Sequence, residues 1–460
     1  MAKVKTVFVC RNCGAESPKW IGRCPSCNQW NTYVEEKISV SKQDTSSFLK
    51  AGSSNPVPLD NIKPEKTARI PSSIKELDRL LGGGIVQGSL ILLGGEPGIG
   101  KSTLALQIAL GLDIKVLYVS GEESLEQLSM RAGRIAVKNS QCLVLNEVNL
   151  ENIILQVEKE NPRLLVIDSI QTLTSDTIDA SPGSLTQIRE CAAHLLKLSK
   201  ITGIPIILIG HITKDGMLAG PKLLEHIVDV VLQFEGDHQY VYRVLRSLKN
   251  RFGSTSELAI FEMEADGLHE IKNPSEIFLS RSNTPQSGVA IASTIDGTRP
   301  FLIEAQALVS SAVYGTPQRT ATGYDTKRLN MLLAVLERKA GFNLASKDVF
   351  LNIAGGLKVQ DPATDLAVAS AILSSTFDNP IDPGTCFAAE ISLTGELKPV
   401  MRIEQRIEEA LRLGFKRIII PEYSKQKPHS KSYQEIQVLT LSRIEQAIRL
   451  IFSKKTKTEI

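Results

Sequence analysis

Residues Gly95-Glu96-Pro97-Gly98-Ile99-Gly100-Lys101-Ser102 combine glycines, a lysine and a hydroxyl in the spacing G-x-x-x-x-G-K-[ST]. Such glycines let backbone N–H groups turn inward and ring a polyphosphate. The N-terminus of the helix that follows adds the positive end of its dipole. Lys101 would then neutralise the β- and γ-phosphates, and the Ser102 hydroxyl would ligate Mg²⁺. The flanks agree: the apolar run 89–93 precedes the motif, and an amphipathic stretch, 103–110 from Thr103 onward, follows it. A glycine turn arising by chance would lack both. ATP and Mg²⁺ are therefore the expected ligands.

A second group completes the chemistry. The run Leu164-Leu165-Val166-Ile167-Asp168 puts a carboxylate at the end of an apolar strand, where it can hold the water shell of Mg²⁺. Hydrolysis also needs a group that positions or deprotonates water. Glu122 and Glu123 close the run 115–120 and are the candidates; one of them has the simpler role of charging the first turn of the next helix. His211 closes the run 206–210, where a histidine either senses the γ-phosphate or is structural.

Cys10, Cys13, Cys24 and Cys27 form two C-x-x-C pairs separated by ten residues. Two such turns can present four thiolates tetrahedrally to Zn²⁺. The gap is shorter than the commonest ribbon spacing. Redox chemistry is the alternative, but neither pair sits in a strand–helix–strand context. Between and beside the pairs, Lys19, Trp20, Arg23 and Trp30 interleave basic and aromatic groups. They could stack and neutralise single-stranded DNA, or the tryptophans could serve only to cover the metal core.

These groups need elements to position them. A chain of 460 residues exceeds one hydrophobic core, so several domains are expected. Net charge is only +3, which does not mark a nucleic-acid binder by itself. No apolar run approaches the roughly 18 residues of a membrane span, and no signal peptide is read at the start. Cys142, Cys191 and Cys386 are scattered through apolar segments as buried small hydrophobes, so a reducing cytoplasm fits. Residues 1–36 read as a zinc module and 37–66 as a polar linker. In 67–272 short apolar runs at 89–93, 115–120, 142–145, 164–168 and 205–210 alternate with helical patterns such as 151–159. That alternation predicts an α/β fold with a mostly parallel sheet, extended at one edge by a hairpin around Gly236-Asp237. A joint at 273–285 leads to a second α/β unit, 286–455, with helices over 326–340 and 404–414 and a strand at 415–421.

The chain resembles the bacterial RadA (Sms) family, RecA-related factors of DNA repair and recombination. The four-cysteine start, Gly94 to Thr103 around the phosphate loop, and Lys249-Asn250-Arg251-Phe252-Gly253 carry the likeness, which runs from Val9 to about Phe452. The resemblance implies a RecA-like core that places a catalytic carboxylate at the end of its second strand, which favours Glu122 over Glu123. It also implies zinc at the four cysteines and a DNA-stimulated ATPase, assembled as a hexameric ring. Such a ring would move on single-stranded and branched DNA, promote branch migration and act with a RecA-type recombinase. Lys249 and Arg251 match a Lys-x-Arg pair that ring helicases place against the neighbouring subunit's γ-phosphate. Loops at 175–184 and 213–222 would face DNA.

The same resemblance implies a Lon-protease-like C-terminal domain, and with it two other functions: an ATP-dependent protease, or a regulatory ATPase switch that does not move on DNA. In Lon proteases the nucleophile lies in Pro-Ser-Ala-Gly. Here the matching segment is Pro362-Ala363-Thr364-Asp365, and Glu404 falls at the lysine position with Arg406 nearby. Alanine supplies no nucleophile and glutamate no amine base, so the expectation is a retained fold without proteolysis. Lys327, Arg328, Arg338, Lys339, Lys347 and Lys358 offer a basic face for DNA or simply for solvent.

Overall fold

The computed structural model describes residues 4–10, 15–26, 28–39, 58, 69–135, 137–211, 221–235, 242–273, 275, 278–279, 284–312, 317–356, 358–422 and 435–452. Cys13, Cys27, most of the expected linker, the Gly236-Asp237 turn and nearly all of loop 213–222 lie outside them. The chain divides into two compact units, Met1–Ile271 and Lys272–Ile460.

The first unit opens with an antiparallel three-stranded sheet of β1 (Val4–Cys10), β2 (Glu16–Ser17) and β3 (Tyr33–Ser39), in the order β2-β1-β3. Strand β3 runs past the expected module boundary at residue 36.

The core that follows has β4 (Arg69–Ile70), α1 (Lys75–Leu81), β5 (Ile85–Val86), β6 (Leu90–Gly95), α2 (Lys101–Gly111), β7 (Val116–Ser120), α3 (Leu125–Ala132) and β8 (Cys142–Asn146). It continues with α4 (Leu150–Glu160), β9 (Leu164–Asp168), α5 (Leu185–Thr202), β10 (Ile206–His211), α6 (Pro221–Ile227), β11 (Val230–Glu235), β12 (Tyr242–Asn250), β13 (Leu258–Glu264) and β14 (Gly267–Glu270). Nine strands form one sheet, ordered β14-β13-β12-β11-β6-β10-β9-β7-β8. From β11 to β8 the pairs are parallel; the hairpin strands β12 to β14 add an antiparallel edge.

Strands β6, β7 and β9 are buried at every position, as strands covered on both faces must be. One face packs on α1 and α2 through Leu77, Leu104 and Ile108; the other packs on α4 and α5 through Ile153, Leu195 and Leu198. Each such fully buried leucine contributes about 1.5–3 kcal/mol. Parallel strands end at the same edge of the sheet. Here Gly95 pairs with His211 and Ser120 with Asp168, so four chain-distant residues meet at one rim.

The second unit holds β15 (Val289–Asp296), β16 (Arg299–Ser311), β17 (Arg319–Thr322), α7 (Thr326–Ala340), β18 (Lys347–Ile353), α8 (Asp365–Phe377), β19 (Thr385–Phe387), β20 (Glu390–Ile391) and β21 (Leu397–Lys398). The chain then forms α9 (Ile403–Arg412), β22 (Arg417–Pro421), β23 (Gln437–Leu441) and α10 (Ile444–Phe452). Its seven-stranded sheet is mixed, in the order β17-β18-β16-β15-β19-β22-β23. Helix α8 is apolar on all sides and buried from Asp365 through Ser374.

Candidate nucleotide site and the ends of strand β6

The phosphate loop leaves β6 and enters α2, which begins at Lys101, earlier than the expected residue 103. Gly100, the N-cap, has φ 116°, and a Cβ there would meet Met263 Cε at 2.7 Å. The positive φ demands glycine, whereas the Met263 terminus could swing aside. Lys101 is buried, and its ammonium donates to the carbonyls of Gly95 and Glu96, each at 2.9 Å. Burial pulls it down to about 8, with Asp168, Glu122 and Glu96 opposing. The lysine is thus curled back over a loop of backbone amides from Glu96 to Ser102, a cradle for phosphate.

Asp168 ends β9 and is 3% exposed. Its Oδ2 accepts from the Tyr118 hydroxyl at 2.8 Å, whereas Oδ1 is buried with no protein partner among the described residues. Burial raises its carboxyl above the usual value, against hydrogen bonds from Tyr118 and Ser102. A buried orphan carboxylate oxygen beside the Ser102 hydroxyl is a donor set that suits Mg²⁺, directly or through water.

The adjacent glutamates diverge. Glu122 Oε1 accepts from Ser169 Oγ at 2.5 Å and lies 2.9 Å from His211 Nε2. The His211 hydrogen bond is the main reason its carboxyl sits below the usual range, and burial opposes it. Glu123 turns the other way, into an ion pair with Arg131 of α3, and burial raises its carboxyl. The Glu123 backbone is pinned too, since its carbonyl accepts from Ser120 Oγ and Asn146 Nδ2. A Cβ on Gly121 would fall 2.1 Å from Thr172 Oγ1, so only glycine lets the glutamate turn lie against the segment after Asp168. His211 Nδ1 is buried and has no partner among the described residues. Tyr118, Ser169 and Arg131 were not singled out from sequence. Ser169 adjoins Asp168 and carried a signal; Tyr118 was concealed in an apolar run, and Arg131 in a helix surface.

Lys249 and Arg251 lie elsewhere. Val231 pairs with both Lys249 and Leu92, and the backbone N–H of Arg251 donates to Asp229, whose own N–H donates to Leu90. Arg251 therefore sits level with the beginning of β6 and Lys249 level with Leu92, while the phosphate loop leaves the strand's end, about 16 Å from Leu90 at the strand rise. Lys249 Nζ donates to the carbonyls of Glu225 at 2.5 Å and Val228 at 2.8 Å, holding the end of α6. Arg251 is 57% exposed; its guanidinium lies 3.5 Å from Asp229, a buried carboxylate that also takes Lys200 at 2.7 Å. The residues between and after them are pins. Asn250 Nδ2 donates to Leu80, Arg69 donates to the Phe252 carbonyl, and Gly253 lies against Gly82.

In the N-terminal module Cys10 and Cys24 are fully buried. The Tyr33 hydroxyl donates to Cys24 Sγ at 3.6 Å, which suits a thiolate. Loop 175–184 is described and carries no lysine or arginine. In the C-terminal unit Ala363 is fully buried, and the Thr364 hydroxyl donates to the Asp361 carbonyl at 2.8 Å. The residue of α9 that reaches this turn is Arg406, not Glu404 as the sequence alignment had it. Arg406 is buried, 2.7 Å from Asp361 Oδ2, and donates to the carbonyl of Ser293 at 2.6 Å. Two helical positions separate Glu404 from Arg406, enough to turn it off that face. Cys191 and Cys386 are buried as expected, but Cys142 is only partly so.

Residues 56–217 match the family model described as AAA domain, residues 8–35 the Rubredoxin metal binding domain, and residues 306–424 Subunit ChlI of Mg-chelatase. The DNA repair protein RadA of Bacillus subtilis (strain 168) is 48% identical over 427 residues, which cover 92% of this chain and 93% of the relative. The chain belongs to the RadA family of DNA repair proteins. The RadA of Listeria monocytogenes serovar 1/2a is 46% identical over 98% of this chain and 99% of the relative. Among solved structures, the RadB recombinase is 24% identical, covers 44% of this chain and 100% of its own, and has a TM-score of 0.36. Membership of the RadA family agrees with a zinc ribbon, a RecA-like ATPase core and a ChlI/Lon-like C-terminal domain in that order. No helix among the described residues is long and apolar enough to cross a membrane.

Proposed function

We propose that this chain is a DNA-stimulated ATPase of recombinational DNA repair. It works as a cytoplasmic ring, a hexamer, that moves on single-stranded DNA and promotes branch migration alongside a RecA-type recombinase. The observation that carries this reading is the placement of Arg251 at the opposite end of β6 from its own phosphate loop, exposed and held by buried Asp229. A cation so placed lies far from its own phosphate loop, which supports a role at a neighbour's nucleotide.

In this reading ATP lies with its phosphates against the amides of residues 95–102, and Lys101 leaves the Gly95 and Glu96 carbonyls for the β- and γ-oxygens. Ser102 and Asp168 Oδ1 hold Mg²⁺, which when bound neutralises the phosphate oxygens. Glu122 orients the attacking water and takes its proton, with Ser169 and His211 fixing the carboxylate. His211 is the γ-phosphate sensor. Arg251 of the adjacent subunit stabilises the charge of the transition state, so hydrolysis waits on assembly. Lys249, whose ammonium is taken up by carbonyls, completes the pair by fixing that strand end. Residues 67–272 form the motor and 1–36 the zinc module. Residues 286–455 are a scaffold without proteolysis, because Ala363 has no nucleophile and Arg406 is fully engaged.

ATP turnover measured with and without single-stranded DNA, together with strand extension on a branched substrate, tests the reading. Turnover raised by DNA together with branch extension supports it. Turnover indifferent to DNA would leave a regulatory switch instead.

A further inference from the structure

The chain contains two tryptophans, Trp20 and Trp30, both in the N-terminal module. Among the described residues they are not part of the buried cluster around Cys10 and Cys24. That cluster holds Cys10, Cys24 and Tyr33 with Phe8 and Ala15, whereas Trp20 is 55% and Trp30 68% exposed. In a module this small, leaving two indoles in water forgoes burial that the core could have used.

Their setting is ordered. A Cβ built on Gly22 would lie 3.7 Å from the Trp20 ring and 3.8 Å from the Trp30 ring, so the two indoles flank one glycine with their edges close together. The backbone there is tied down. Asn31 N–H donates to the Gly22 carbonyl at 2.7 Å, and Arg23 and Trp30 form an antiparallel bridge. Arg23 donates to the Asn28 carbonyl at 3.2 Å and sets its guanidinium 5.7 Å from the centre of the Trp30 ring. Lys19 is exposed beside Trp20. The face thus presents two apolar rings, with the Arg23 guanidinium over one side of Trp30, its other side left for a stacking partner, and Lys19 next to Trp20 in the chain.

We propose that this face binds single-stranded DNA, with unpaired bases stacking on Trp20 and Trp30 and with Arg23 and Lys19 meeting the phosphates. Flat rings call for flat partners, and the adjacent cations call for an anion; an unpaired nucleotide is both. A duplex shows its phosphates but hides its base faces, so this surface selects the single strand. Stacking requires no base-specific hydrogen bond, and the contact is therefore indifferent to sequence. The inference rests on the reading that the chain acts on single-stranded DNA, and gives the zinc module the task of holding the strand outside the motor.

Because no other tryptophan exists, tryptophan emission from the full-length, zinc-loaded protein reports this face alone. The probes are an end-labelled oligothymidylate, whose anisotropy reports binding anywhere on the protein, and an abasic deoxyribose-phosphate oligomer of the same length. Oligothymidylate should quench the emission along the same isotherm as the anisotropy, and the abasic oligomer should not. Trp30→Ala should weaken oligothymidylate binding on the order of tenfold, Trp30→Phe should restore most of it, and zinc content should be equal in both. Anisotropy that reports binding while the emission stays constant overturns the inference but leaves the proposed motor standing. Equal quenching by the abasic oligomer, or emission that responds only to a RecA-type recombinase, also overturns it. Absence of oligonucleotide binding by either signal overturns the inference and the proposed function together.

Discussion

The Tyr118 hydroxyl donates to Asp168 Oδ2 at 2.8 Å from a fully buried phenol, while Oδ1 is buried without a partner among the described residues. Tyr118→Phe removes that donor and keeps the ring. Loss of a hydrogen bond to a charged group costs about 1.5–3 kcal/mol, so thermal unfolding should come earlier. The Mg²⁺ needed for half-maximal binding of a fluorescent nucleotide should rise several-fold, since the carboxylate can now rotate. An unchanged Mg²⁺ requirement would reduce Tyr118 to packing.

Lys101, held near 8 by burial, is partly deprotonated at mildly alkaline pH. A bound triphosphate adds negative charge beside it and pushes its proton affinity back up. At about one unit above neutrality, nucleotide binding should therefore take up protons, and the uptake should vanish at lower pH, where Lys101 is already charged. Calorimetry in two buffers of different ionisation enthalpy measures it. Lys101→Ala should abolish hydrolysis with the fold intact; uptake of the same size in any variant that still binds nucleotide would assign the proton elsewhere.

Glu122 and Glu123 should separate cleanly. Glu122→Gln should cut turnover by about 10²–10⁴-fold while nucleotide still binds, as expected for the loss of a general base. Glu123→Gln removes only the partner of Arg131, so its effect should appear as a lowered melting temperature with hydrolysis largely retained. The reverse pattern in single-turnover assays would exchange their roles.

Arg251→Ala should bind ATP normally and lose about 10³-fold in DNA-stimulated turnover, the scale of an arginine finger. Mixing it with Glu122→Gln subunits creates interfaces where an intact Glu122 faces an intact Arg251. Some activity should return. If mixed rings form and stay inactive, Arg251 serves its own subunit through Asp229.

The phosphate loop was legible because its chemistry is local. Gly95, Gly98 and Gly100 permit a backbone path that other residues resist, and Lys101 and Ser102 follow it on one helix start. The strands were legible for a similar reason: a run buried on both faces, such as residues 164–168, is apolar throughout. The metal-binding module was legible too, as two C-x-x-C pairs inside the segment that matches a metal binding domain. What sequence could not decide was direction. Glu122 and Glu123 are neighbours of the same chemistry, and only the folded arrangement turns one toward His211, 89 residues away, and the other toward Arg131 on the next helix. Register of the sheet alone puts Arg251 at the start of β6 and Gly95 at its end. The same holds for Arg406, which displaced Glu404 from the expected position because helix phase, not sequence offset, determines which side chain reaches Asp361. The tryptophans of the first module could have been its core or its surface by composition. In the fold, Tyr33 of β3 is the aromatic ring that packs with Cys10 and Cys24 among the described residues, and both tryptophans stay exposed.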